Sequence, residues 1–102
     1  MSFEGTWDLT IQSPMGAKTF RLEVRAEGAG LRGSAAANGE SNPMDGLREE
    51  GGRLRWSMRM PRPMNVVLDV EVALDGDALA GSAKAGRMPL PNVRGERVGT
   101  AG

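Results

Sequence analysis

Arg53-Leu54-Arg55-Trp56-Ser57-Met58-Arg59-Met60 carries an apolar side chain at every second position, with Arg or Ser between. Val66 to Leu74 continues in kind: Val66, Leu68, Val70, Val72 and Leu74 alternate, with Asp69 and Glu71 among the residues between. An extended chain points successive side chains to opposite faces, so a period of two marks a strand buried on one side. A helix needs apolar residues three and four apart, and no stretch of this chain offers that convincingly. Working outward, Trp7, Leu9 and Ile11 alternate, as do Phe20, Leu22, Val24 and Ala26, and then Leu31, Gly33 and Ala35. Met44, Gly46 and Arg48 form a weaker fourth run; Leu79, Gly81 and Ala83, then Val93, Gly95 and Arg97, complete eight strands. Ser13-Pro14-Met15-Gly16, Glu27-Gly28-Ala29-Gly30, Glu50-Gly51-Gly52 and Asp75-Gly76-Asp77 read as turns between them. Short connections make successive strands antiparallel neighbours. With no helix to cover the apolar face, the sheet must close on itself or fold into a sandwich. The expected fold is therefore all-β, an eight-stranded antiparallel up-and-down barrel, favoured over the sandwich.

One domain spans residues 1–102, a length that supports a single core. Its halves, about 5–49 and 52–98, match at an offset of 48 to 49 residues. Trp7-Asp8-Leu9-Thr10-Ile11 aligns with Trp56-Ser57-Met58-Arg59-Met60, Pro14-Met15 with Pro63-Met64, and Leu31-Arg32-Gly33-Ser34-Ala35 with Leu79-Ala80-Gly81-Ser82-Ala83. The matches predict two four-stranded repeats about a pseudo-two-fold axis. Closing such a barrel sets Trp7 beside Arg97 and Trp56 beside Arg48, where a guanidinium can stack on an indole face.

Composition narrows the chemistry. Lys+Arg and Asp+Glu both number 13, and the zero net charge speaks against a nucleic-acid or acidic-lipid footprint. The outward stripe Arg53, Arg55 and Arg59 faces Asp69 and Glu71 on the next strand, which reads as cross-strand ion pairing. Cys, His and Tyr are absent. Without them there is no disulfide, no thiolate or imidazole metal site and no Ser-His-Asp mechanism. Met15, Met44, Met64 and Met88 offer thioethers of the kind Cu(I) accepts, but nothing harder anchors such a site, so neither metal nor cofactor is expected. No apolar run approaches membrane-helix length and no signal-peptide pattern opens the chain, so a cytoplasmic location is expected.

A meander puts alternate hairpins at the same end. Ser13–Gly16, Asn42–Asp45, Pro61–Asn65 and Arg87–Pro91 are expected to share one rim, which gathers every Pro and the methionines Met15, Met44, Met64 and Met88. Met58 and Met60 point inward below that rim, with Trp7 and Trp56 deeper in the barrel. Flexible, polarizable thioethers suit an adaptable apolar mouth, so these eight residues are the candidate ligand-binding set and an apolar small molecule the expected partner. Two alternatives stand beside this one. An isomerase or cyclase needs a carboxylate desolvated by an apolar pocket, and Asp45, nearest the rim, should point outward. A filled barrel serving as a structural or interaction module needs no cavity, and a homodimer could form through Val67, Ala73, Ala36 and Ala80 on the outer wall.

Gly5-Thr6-Trp7 on the first strand, with Arg97 on the last, resembles the calycin pattern. Lipocalins, fatty-acid-binding proteins and avidins are similar there: a Gly-x-Trp opens the barrel, and in many lipocalins a late Arg packs on that Trp. The resemblance implies a small calycin-like barrel with an apolar cavity. The chain departs from it in being much shorter, in lacking the C-terminal and lid helices, and in lacking the interior tryptophans and tyrosine of avidins. No ligand residue therefore carries over from those families.

Overall fold

The computed structural model describes residues 3–14, 16–37, 39–60 and 66–99, with Met60 described by its backbone alone. Nine strands form among them: β1 (Gly5–Ser13), β2 (Gly16–Glu27), β3 (Gly30–Ala37), β4 (Glu40–Pro43), β5 (Asp45–Glu50), β6 (Arg53–Met60), β7 (Val66–Asp75), β8 (Ala78–Ala85) and β9 (Met88–Gly99). Every pairing is antiparallel, in the order β4-β3-β2-β1-β9-β8-β7-β6-β5. The two outermost strands, β4 and β5, are consecutive in the chain. One run of residues thus binds both edges of the sheet and makes it a nearly closed barrel.

That run corrects the expected count of eight. The fourth strand breaks at Met44 into two, β4 on β3 and β5 on β6. The cause is local. Gly46 adopts φ +65°, and Gly46 and Leu47 both fall between the pairs Asp45–Ser57 and Arg48–Arg55. The chain changes neighbours between Met44, bonded to Gly33, and Asp45, paired with Ser57, and directly after it two residues opposing one, led by a left-handed glycine, make a β-bulge that bends β5. Two turns also lie elsewhere than expected. The third reversal falls between Ala37 and Glu40, where Gly39 has φ +79°, so Asn42 and Pro43 lie in a strand. The last falls between Ala85 and Met88, with Gly86 at φ +63°, so Met88 to Pro91 belong to β9.

Inside, alternation does what it promised. Trp7, Leu9, Leu22, Leu54, Trp56, Val72 and Leu79 lose all or nearly all contact with solvent, and one core cluster unites them with Phe3, Phe20, Met44, Met58 and Val93 among others. Among the described residues no buried side chain is polar or charged apart from the indole nitrogens. At about 25 cal/mol per Å2, burying an indole of about 200 Å2 contributes about 5 kcal/mol before conformational entropy is subtracted. Trp7 registers on Leu22 and Leu22 on Ala35 in one inward row, and Trp56 registers on Val70 and Val70 on Ala83 in another.

A narrow barrel bends its wall sharply, and two glycines show where. A Cβ on Gly33 would lie 2.6 Å from the Glu23 carbonyl oxygen and 2.8 Å from the Met44 sulfur. At Gly81 a Cβ would overlap the Glu71 carbonyl oxygen and lie 2.7 Å from Val72 Cα. Backbone cannot retreat as a flexible side chain can. Gly81→Ala is therefore expected to destabilise by about 3 kcal/mol or more in urea unfolding, the upper range for overpacking. A loss under about 1 kcal/mol would mean that the wall relaxes freely there.

Candidate functional site

The end of the barrel where β1 begins is held by one arginine. Arg97 registers on Trp7, and its Cζ lies 4.2 Å from the indole centroid. Its Nη1 donates to the Glu4 carbonyl, while Nε donates to Asp77 Oδ1 at 3.1 Å. Its backbone N–H donates to the Asp77 carbonyl at 2.8 Å. One guanidinium therefore joins β1, the β7–β8 turn and the segment before β1. Gly5, at φ +136°, is required beneath it, because a Cβ there would lie 2.6 Å from Arg97 Nη1 and 2.8 Å from the Gly99 carbonyl oxygen. The Trp7 indole N–H donates to the Phe3 carbonyl at 2.9 Å, and Phe3 is itself buried.

Trp56 has no such clamp. The bulge at Gly46–Leu47 shifts Arg48 onto Arg55 in the register, which corrects the expected Trp56–Arg48 contact. Arg48 instead donates to the Gly46 carbonyl at 3.0 Å and pairs with Glu50 at 3.1 Å. Trp56 is 2 % exposed, and its indole N–H is buried with no acceptor.

The eight candidate ligand residues separate into groups. Trp7, Trp56, Met58 and Met44 are packed in the core, at 0 %, 2 %, 2 % and 5 % exposure. Met44 lies at the break between β4 and β5 rather than in a hairpin loop, and Met88 is exposed on β9. Met60 is in β6, while Met15 and Met64 lie outside the described residues. Asp45 is exposed, and among the described residues no carboxylate is buried. Of the apolar outer-wall residues, Ala73 and Ala80 are cross-strand partners, Val67 lies towards the other end of β7, and Ala36 is on β3.

Two hollows stand out among the described residues. The larger, about 920 Å3 and open to solvent, runs beside β3 at the elbow between β4 and β5; Leu31, Gly33 and Ser34 line one side, Pro43, Asp45 and Gly46 the other. Glu23 and Arg25 reach it from β2. A smaller one, about 250 Å3, crosses β6, β7 and β8 over Arg55, Ser57, Asp69, Glu71 and Lys84. Its wall is internally paired, as the arginine stripe predicted: Arg53 and Arg55 both donate to Glu71, at 3.2 and 2.9 Å, and Ser57 donates to Asp69. On the opposite wall Arg21 makes a two-pronged pair with Asp8, and that hydrogen bond, then the charge, raises the guanidinium pKa above its ordinary value. The larger hollow escaped the reading of the sequence, and its one signal was Gly46, a glycine in a run otherwise read as strand.

Comparison of the chain with protein-family models, with curated proteins and with solved structures returns no match.

The contrast between the tryptophans is measurable. Trp7→Phe removes a satisfied hydrogen bond and the guanidinium's best surface, and is expected to cost about 2–3 kcal/mol. Trp56→Phe removes an N–H that already lacks an acceptor, so its cost is expected to stay near the cavity contribution of about 1 kcal/mol. Arg97→Ala should cost about 2 kcal/mol, and Arg97→Lys should recover little because the planar fork is lost. Chemical denaturation of the four variants checks all three statements, and equal costs for the two indoles would contradict the assignment.

Proposed function

We infer that the chain is a minimal calycin-like barrel, two related halves about a pseudo-two-fold axis, whose interior is given over to packing and whose outer wall does the binding. In function it is an interaction module. The observation that carries this reading is the fate of the expected cavity lining: Trp7, Trp56, Met58 and Met44 are consumed by one continuous core. Small barrels are generally filled by their own side chains. The calycin likeness rests on Gly5, Trp7 and Arg97, whose mutual contacts explain why the three residue types occur together. The repeat is supported by the matching rows and by Gly33 and Gly81, which stand at equivalent places and each press on the carbonyl of a glutamate, Glu23 and Glu71.

A second reading has one observation in its favour. An apolar guest carrying a single acceptor would satisfy the Trp56 N–H, which has no acceptor inside the barrel. The two readings part in a single experiment: native mass spectrometry of the purified protein, with titration of a fluorescent fatty acid followed by tryptophan quenching. The filled module is expected to fly as bare chain and to leave tryptophan emission unchanged. A co-purified molecule, or saturable quenching at about micromolar probe, would replace it with the ligand-carrying barrel.

A further inference from the structure

The two seams of the barrel are unequal. On one, β8 pairs with β9 across its whole length, Ala78 to Ala85, apart from a bulge opposite Ser82. On the other, β3 pairs with β4 only from Ser34 to Ala37, and Met44 N–H to the Gly33 carbonyl is the last bond. Below it the chain leaves for β6, so among the described residues Gly30 to Arg32 have no hydrogen-bonded strand on that side, although β5 passes close to β3. Backbone groups of alternate residues point the same way along a strand. Since Gly33 offers its carbonyl to Met44, Leu31 turns its N–H and C=O toward the same open side. The 920 Å3 hollow lies against this free edge.

The hollow carries two arginines, Arg25 and Arg32, beside the carboxylates Glu23 and Asp45, and neither of these carboxylates pairs with Arg25. Arg25 and Arg32 are direct cross-strand partners, and like charges placed opposite one another are unfavourable unless an anion lies between them. Arg32 has one exposed ion pair, to Glu27 at 3.3 Å, whereas Arg25 has neither an ion pair nor a hydrogen bond among the described residues. Beside the edge the core surface is apolar, with Met44 and half-buried Leu47 closest to Gly33.

We propose that the free edge of β3 at Gly30–Arg32 binds an extended peptide by strand addition, and that the peptide alternates apolar and acidic residues. This rests on the outer-wall reading given above. A strand added beside β3 would place its residue opposite Arg32 on the outer face, where a carboxylate bridges Arg25 and Arg32. Its residue opposite Leu31 would turn inward beside Met44 and Leu47, where an apolar side chain belongs. Main-chain bonds to Leu31 supply affinity and the two side-chain faces supply selectivity.

The test uses the whole chain, labelled with 15N, and acetyl-Val-Glu-Val-Glu-Val-Glu-amide. Amide shifts confined to Gly30–Ser34 and Asp45–Leu47 are expected as peptide is added up to about 1 mM. A Val/Lys peptide of the same pattern should bind at least about ten-fold more weakly, and the double variant Arg25→Glu, Arg32→Glu should reverse that preference. Both side chains lie on the surface, so the variant should keep the thermal midpoint of the parent. A peptide methylated on alternate amide nitrogens keeps its carboxylates and loses its donors, and it should lose at least about ten-fold in affinity. No shifts at about 1 mM, equal binding of the methylated peptide, or self-association through this edge in place of peptide binding would overturn the proposal. Failure here with a barrel that still ignores the fatty-acid probe discards the peptide alone, whereas uptake of the probe discards the outer-wall reading beneath it.

Discussion

The barrel depends on one run of chain, Glu40–Glu50, serving two edges at once. A sheet with free edges is an open template for other strands, and closure is the complete remedy. Here closure is made by eleven residues of which Met44 alone is fully buried. The Met44 N–H bond to Gly33 fixes where the run stops following β3, and the Asp45–Ser57 pair, followed by the bulge at Gly46, fixes where it begins to follow β6. The large hollow and the unpaired stretch of β3 both follow from this division of labour. The complementary seam has no such conflict, because Gly95 lets β9 approach Leu9 and Leu79 together, at distances a Cβ would make tight.

Much of this could be read from residue types. Alternation located seven strands where they occur, and it assigned Leu22, Leu54, Val70 and Val72 to the inside. Gly5, Trp7 and Arg97 named a contact between the two ends of the described chain, about 90 residues apart. What periodicity cannot see is a place where the period breaks. Met44 to Arg48 looked like a poor strand because it is two strands and a bulge, and a parity count across a bulge puts every later residue on the wrong partner. Hence Arg48 was assigned to Trp56 and lies on Arg55 instead.

Proline misled for a related reason. Residue type places Pro43, Pro89 and Pro91 in loops, whereas they lie in β4 and β9. Pro89 and Pro91 occupy the stretch of β9 that precedes its pairing with β1, which begins at Val93. There one side of the strand has no neighbour, so a missing N–H leaves no acceptor unmet. Asn38-Gly39, an Asn-Gly pair in the sequence, is the stronger hairpin signal in that region. The groove, by contrast, belongs to no single residue. It arises from the angle between two strands, and that angle is set by a glycine dihedral and by pairing decided elsewhere.

The clamp between β1 and β9 also fixes an order of events during synthesis. Trp7 is synthesised about 90 residues before Arg97, so nearly all the described chain is out before its cation follows. Until then β1 has β2 as a partner and a bare second edge, and the indole is without its cation. Pairing of such distant segments is slow, and half-closed sheets are the species that aggregate. A growing chain of this kind has every strand-forming residue available before the wall can lock. Its vulnerable period is therefore set by the speed of translation through β9 rather than by any property of the finished barrel.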